Sequence, residues 1–101
     1  MRAVELAVYA DTLAGEAASL AARVERARSR LHQAAIDRRA HAELSEAAVE
    51  RLEGLGLLGA FDERAARGEL SELESALDAL EELQAWVEAR LAEATEATSA
   101  A

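Results

Sequence analysis

Residues 3–35 read AVELAVYADTLAGEAASLAARVERARSRLHQAA, and this stretch decides the fold. With Ala10 at heptad position a, the a residues are Ala3, Ala10, Ala17, Val24 and Leu31. The d residues are then Leu6, Leu13, Leu20, Ala27 and Ala34. All ten are apolar, the signature of a long helix with one buried face. The e column adds Ala7, Ala14, Ala21 and Ala35, broken by Arg28, so the stripe suits a helix with more than one neighbour. The small a residues admit a partner helix near the lower end of the usual ~8–10 Å interaxial range. At the next a and d sites, Arg38 and His41, the pattern fails; there the helix leaves its partner or shifts phase.

A helix over residues 3–42 would be ~60 Å long at 1.5 Å per residue. A compact 100-residue domain has a radius of gyration of ~13 Å, so this helix outruns what its own chain can wrap. The expectation is therefore a second copy of the chain, with a seam built from Leu6, Leu13, Leu20, Val24 and Leu31.

The same periodicity returns near the C-terminus. Leu70, Leu77, Gln84 and Leu91 fall at a, and Leu73, Leu80, Val87 and Ala94 at d, so this helix contributes Leu73, Leu77, Leu80, Gln84, Val87 and Leu91 to the seam. Ser71 and Glu74 have the spacing of a capping box, which predicts a helix over 71–94. Gln84 is the one polar residue of that seam; it either sets register at some cost in stability or lies at a wet edge. Residues 95–101 lack periodicity and are expected to fray, leaving 97–101 as a tail. Between the long helices, Ser45 predicts an N-cap for a short helix over 45–53. Gly54, Gly56 and Gly59 predict turns, and a further short helix over 60–67 would be stopped by Gly68. The reading is one all-α domain over residues 1–96. It is an antiparallel helical hairpin with a glycine-punctuated, helical connection, dimerising into a bundle or coiled coil.

Composition agrees with that class and narrows the function. Alanine, leucine, glutamate and arginine make up 69 of the 101 residues, there is no proline, and only three residues are aromatic. Strands would need the β-branched and aromatic residues that are scarce here. Without cysteine, a disulfide framework, a thiol nucleophile and a thiolate metal site are all excluded. The net charge of −9 is uneven: residues 1–50 carry eight acids and seven arginines, residues 51–101 twelve acids and four arginines. An acidic surface repels phosphate backbones, which argues against nucleic acid as a partner. The arginine run Arg23, Arg26, Arg28, Arg30, Arg38 and Arg39 is expected to meet the glutamates of the second half, with Glu74, Glu81 and Glu88 as the first candidates. An external anionic ligand is the other possibility. No apolar run reaches the ~18 residues needed to cross a bilayer, and the N-terminus lacks a secretory pattern, so no membrane partner and a cytoplasmic location are expected.

No catalytic set emerges. The stretch GLGLLG at 54–59 has dinucleotide-fingerprint spacing but follows a predicted helix instead of a strand. Asp37 and His41, four apart, read as a hydrogen-bonded pair at a helix end more readily than as cation ligands, and Glu-x-x-His is absent. No metal site, cofactor or catalytic residue is assigned. The candidate partner-docking residues are Leu55, Leu57, Leu58 and Phe61, large apolar groups among glycines, together with Trp86. The four residues of the connection either plug the bundle end or receive a partner helix. Trp86 either stacks under Arg90, four residues on, or joins Leu83 in a second apolar stripe.

The stretch Arg67-Gly68-Glu69-Leu70-Ser71-Glu72-Leu73-Glu74 resembles segments of small helical export chaperones of the flagellar type, as capped Leu/Glu helices generally do. The sequence thus points to a non-catalytic, homo-oligomeric interaction or scaffolding module. A small chaperone or adaptor masking a partner's amphipathic helix is the rival, and a ligand- or metal-binding helical-bundle enzyme stands behind both.

Overall fold

The computed structural model describes residues 2–59 and 62–100, apart from the side chains of 98–100. Its elements are all helical: α1, Ala3–Glu43; α2, Glu46–Gly54; and α3, Glu63–Ala100. None of these helices is long and apolar enough to cross a membrane. Contacts gather in two compact units. One comprises Met1–Arg23 with Leu73–Ala101, the other Val24–Glu72.

In the first unit, Leu6 and Leu13 of α1 pack with Val87 of α3 as a buried cluster, lined by Ala10, Leu80, Leu83, Leu91 and Ala94. Val87 is fully covered and Leu6 is 2% exposed, so each contributes on the order of 1.5–3 kcal/mol by apolar burial. Gln84 is half-buried in a crevice with Ala10, Leu13 and Ala14. Apart from Leu83 at g and Ala14 at e, these are a and d positions of the two heptad patterns, and they are used inside one chain. The e column behaves otherwise: Ala7, Ala14 and Ala21 are exposed, so the chain buries a narrower stripe than the alanine spacing suggests.

In the second unit the interior is made of Val24, Ala27, Ala34 and Leu58, with Asp37 among them at 2% exposure. Here the α1 stripe slips by one residue. Arg38 and His41 are exposed, and Asp37 and Ala40 turn inward instead, three and six residues beyond Ala34. Two ion pairs tie α1 to the start of α3: Arg30 with Glu69, and Arg38 Nε with Glu63 Oε2 at 2.7 Å. These two arginines are thus answered N-terminal to the Glu74, Glu81 and Glu88 edge, because α3 begins eight residues earlier than its capping box implies.

That early start corrects the boundaries of the second half. Residues 63–94 form neither a short helix stopped by Gly68 nor a new helix at Ser71; α3 is continuous through both. Its N-terminus is capped by Asp62, whose Oδ1 accepts from the backbone N–H groups of Arg64 at 3.0 Å and Ala65 at 3.2 Å. Gly68 is tolerated because the inward stripe of Ala66, Leu70 and Leu73 runs past it uninterrupted. Arg67–Glu63 and Arg30–Glu69 also brace the turns beside it. A single glycine costs about 1 kcal/mol inside a helix, less than that packing returns. The expected frayed tail is likewise helical to Ala100: no glycine or proline interrupts it, and Thr95 Oγ1 donates to the Leu91 carbonyl at 2.9 Å. Ala60, Phe61 and Ala101 lie outside the described residues.

Two glycines should respond oppositely to alanine. Nothing lies within 4 Å of a Cβ built on Gly68, so Gly68→Ala is expected to stabilise the fold by about 0.5–1 kcal/mol. Gly56 has φ +71°, so Gly56→Ala is expected to destabilise it by about 1 kcal/mol. Denaturant midpoints at unchanged slope measure both. Asp37 gives a second expectation. Its Oδ1 accepts from Gln33 Nε2 at 3.0 Å, while its Oδ2 is buried without a hydrogen-bond partner. Asp37→Leu should therefore raise stability by about 1–3 kcal/mol, and a fall in the midpoint would contradict this.

Candidate interaction surface

The connection after α2 is a locked turn. Ser45 caps α2, accepting from the Ala48 N–H at 3.2 Å. At the other end the Gly56 N–H donates to the Glu53 carbonyl at 3.0 Å and the Leu57 N–H to the Leu52 carbonyl at 2.9 Å. With Leu55 as C-cap and Gly56 left-handed, this is the Schellman pairing, which needs a residue without a Cβ at that point.

The turn divides the candidate residues. Leu58 is 7% exposed and belongs to the interior of its unit. Leu55 and Leu57 point outward, at 66% and 68% exposure. Alternation about the left-handed glycine sends neighbouring leucines to opposite sides. Phe61 lies outside the described residues.

Trp86 is 46% exposed, with the Arg90 Cζ 5.5 Å from its ring centroid. This is the cation–π arrangement that the i, i+4 spacing predicts, worth about 0.5–1 kcal/mol at an exposed site. Arg90 also pairs with Glu93 Oε2 at 2.9 Å. Leu83 parts company with Trp86, packing instead on the Leu6–Leu13–Val87 cluster. Trp86, Arg90 and Glu93 form one wall of a shallow groove whose other lining residues are Leu6 and Ala94.

Asp37 and His41 do not act as the pair their spacing suggested. Asp37 takes Gln33 as its partner, and His41 Nε2 lies 3.6 Å from Glu53 Oε1, a contact that joins the end of α1 to α2. Asp37 turns inward through the phase slip, and His41 stays on the outer face.

Sequence reasoning missed several surface groups. Val4, Val8, Tyr9, Ile36 and Leu44 are exposed at 73%, 62%, 43%, 48% and 44%. Val4, Val8 and Ile36 sit at heptad positions b and f and Tyr9 at g, so large apolar residues off the a/d stripe were the available signal. Ile36 lies in a second groove, formed entirely by α1, with His32, Ala35, Arg38, Arg39 and Ala42.

The split between Leu57 and Leu58 is directly testable. Leu58→Ser should lower stability by about 2–4 kcal/mol, through lost apolar burial and a buried hydroxyl. Leu57→Ser should change it by no more than about 0.5 kcal/mol. Equal shifts in thermal unfolding would contradict the assignment. Against protein-family models, curated proteins and solved structures alike, the chain shows no match.

Proposed function

We propose that this chain is a non-catalytic helical interaction module that works as a homo-oligomer. Each copy would be an antiparallel helical hairpin, and copies would associate into a bundle. The hairpin is supported within each unit by the order of contacts. Leu6 shares a groove with Ala94 and Leu13 a crevice with Gln84, while Arg30 meets Glu69 and Arg38 meets Glu63. As residue numbers rise along α1 they fall along α3.

The observation that carries the function is the apolar surface. Eight large apolar side chains are at least 43% exposed, as many as there are buried apolar residues among those described. Single exposed apolar residues are ordinary, but so many relative to so small an interior mark surfaces that meet other chains. Self-association is the economical reading, because an alanine-rich outer face of α1 lets another helix approach closely.

The adaptor reading retains one specific support. Leu55 and Leu57 stand outward on a turn braced by two backbone hydrogen bonds, the kind of rigid presentation that suits capture of another protein's amphipathic helix.

Sedimentation equilibrium at micromolar concentration is expected to give at least twice the 10.8 kDa chain mass. A mass of 10.8 kDa throughout would end the oligomer reading and leave the adaptor.

A further inference from the structure

The two grooves described above differ in their charged lining. The α1 groove around Ile36 is lined by His32, Arg38 and Arg39 with Ala35 and Ala42, and has no acidic residue in its wall. Ile36 is 48% exposed at its centre. The groove beside Trp86 is lined by Leu6 and Ala94 and carries in its wall Glu93, paired with Arg90 at 2.9 Å. An incoming arginine would take Glu93 from Arg90, another exposed pair. Glu82, four residues before Trp86, is exposed on the same face of α3. The unit that holds this groove carries ten acids against three arginines.

We infer that the Ile36 groove of one copy docks on the Trp86 groove of another, the two being the halves of one contact between copies of this chain. This rests on the homo-oligomer reading and names its interface. The aliphatic Ile36 side chain meets the indole, Leu6 and Ala94. Arg38 and Arg39 meet Glu93 and Glu82. Both arginines are free to turn: their side chains are 72% and 78% exposed. Their present partners, Glu63 and Glu43, hold them by solvent-exposed pairs worth at most about 1 kcal/mol. A partly desolvated contact exchanges such pairs at little cost and adds the burial of an aromatic anchor ringed by polar groups, the pattern of interface hot spots. Because the faces differ, the contact is heterologous, and each copy carries both halves.

That asymmetry supplies the test. Trp86 is the only tryptophan, so its emission reports on the groove alone. Ile36→Glu destroys one face and keeps the fluorophore; Trp86→Ser destroys the other face and is silent. Both sites are exposed, and far-UV circular dichroism checks that helicity is kept. If a variant loses helicity, Arg39→Glu replaces Ile36→Glu and Glu93→Arg replaces Trp86→Ser. Each variant alone should associate at least about tenfold more weakly than the wild type. An equimolar mixture should form a species heavier than 10.8 kDa, with Trp86 emission shifted to shorter wavelength. Raising salt from about 0.05 to 0.5 M should weaken it, as a contact between arginines and glutamates requires. If the wild type is oligomeric and both variants are equally so, this contact is wrong and the oligomer reading stands. A mixture that stays at 10.8 kDa with unshifted emission overturns the contact, and a monomeric wild type overturns both.

Discussion

The stripe of small and medium apolar residues along α1 is the constraint on which everything else depends. Leu6, Leu13, Val24, Ala27 and Ala34 all fall at a or d of one heptad pattern, and they are the buried apolar residues of the helix. Within the first unit α3 covers Leu6 and Leu13 with Val87, flanked by Leu80, Leu83 and Leu91. The connection itself is shaped by a capped short helix and a left-handed glycine.

The economy of that arrangement leaves much of the helix surface bare. Two helices each have one covered side, and alanine elsewhere adds little bulk to shield the apolar residues that remain. Val4, Val8, Ile36, Leu55 and Leu57 are left facing water, and Trp86 is covered only in part, with Arg90 over its ring. In a chain with few large hydrophobes, leaving these outside concedes stability that association between chains would recover. The buried Asp37 is a concession of another kind. It occupies the point where the α1 stripe changes phase, so a carboxylate sits where a leucine would pack.

Electrostatics work on alignment more than on strength. Arg30–Glu69 and Arg38–Glu63 are surface pairs of small individual worth, but a one-turn slip of α1 against α3 would break both. Alternating alanine and leucine, as at Ala3, Leu6, Ala10 and Leu13, oppose the same slip, because one turn exchanges small for large positions. Charge pairing adds to that.

What the sequence determined by itself was periodic and local: the all-helical class, the span of α1, the Ser45 cap and the glycine turn. Each depends on residues within about one helical turn of one another, so spacing alone carries the information. The tertiary structure decided the rest. Gly68 and the Ser71–Glu74 pair are strong local signals for a helix boundary, yet α3 runs through them, because packing of Ala66, Leu70 and Leu73 outweighs a glycine's conformational cost. Leu57 and Leu58 are chemically identical neighbours, and only the left-handed turn before them puts one inside and the other in solvent. The inward turn of Asp37 was hidden for the same reason. A one-residue slip in a stripe is set by what lies opposite, and no helix records that in its own spacing.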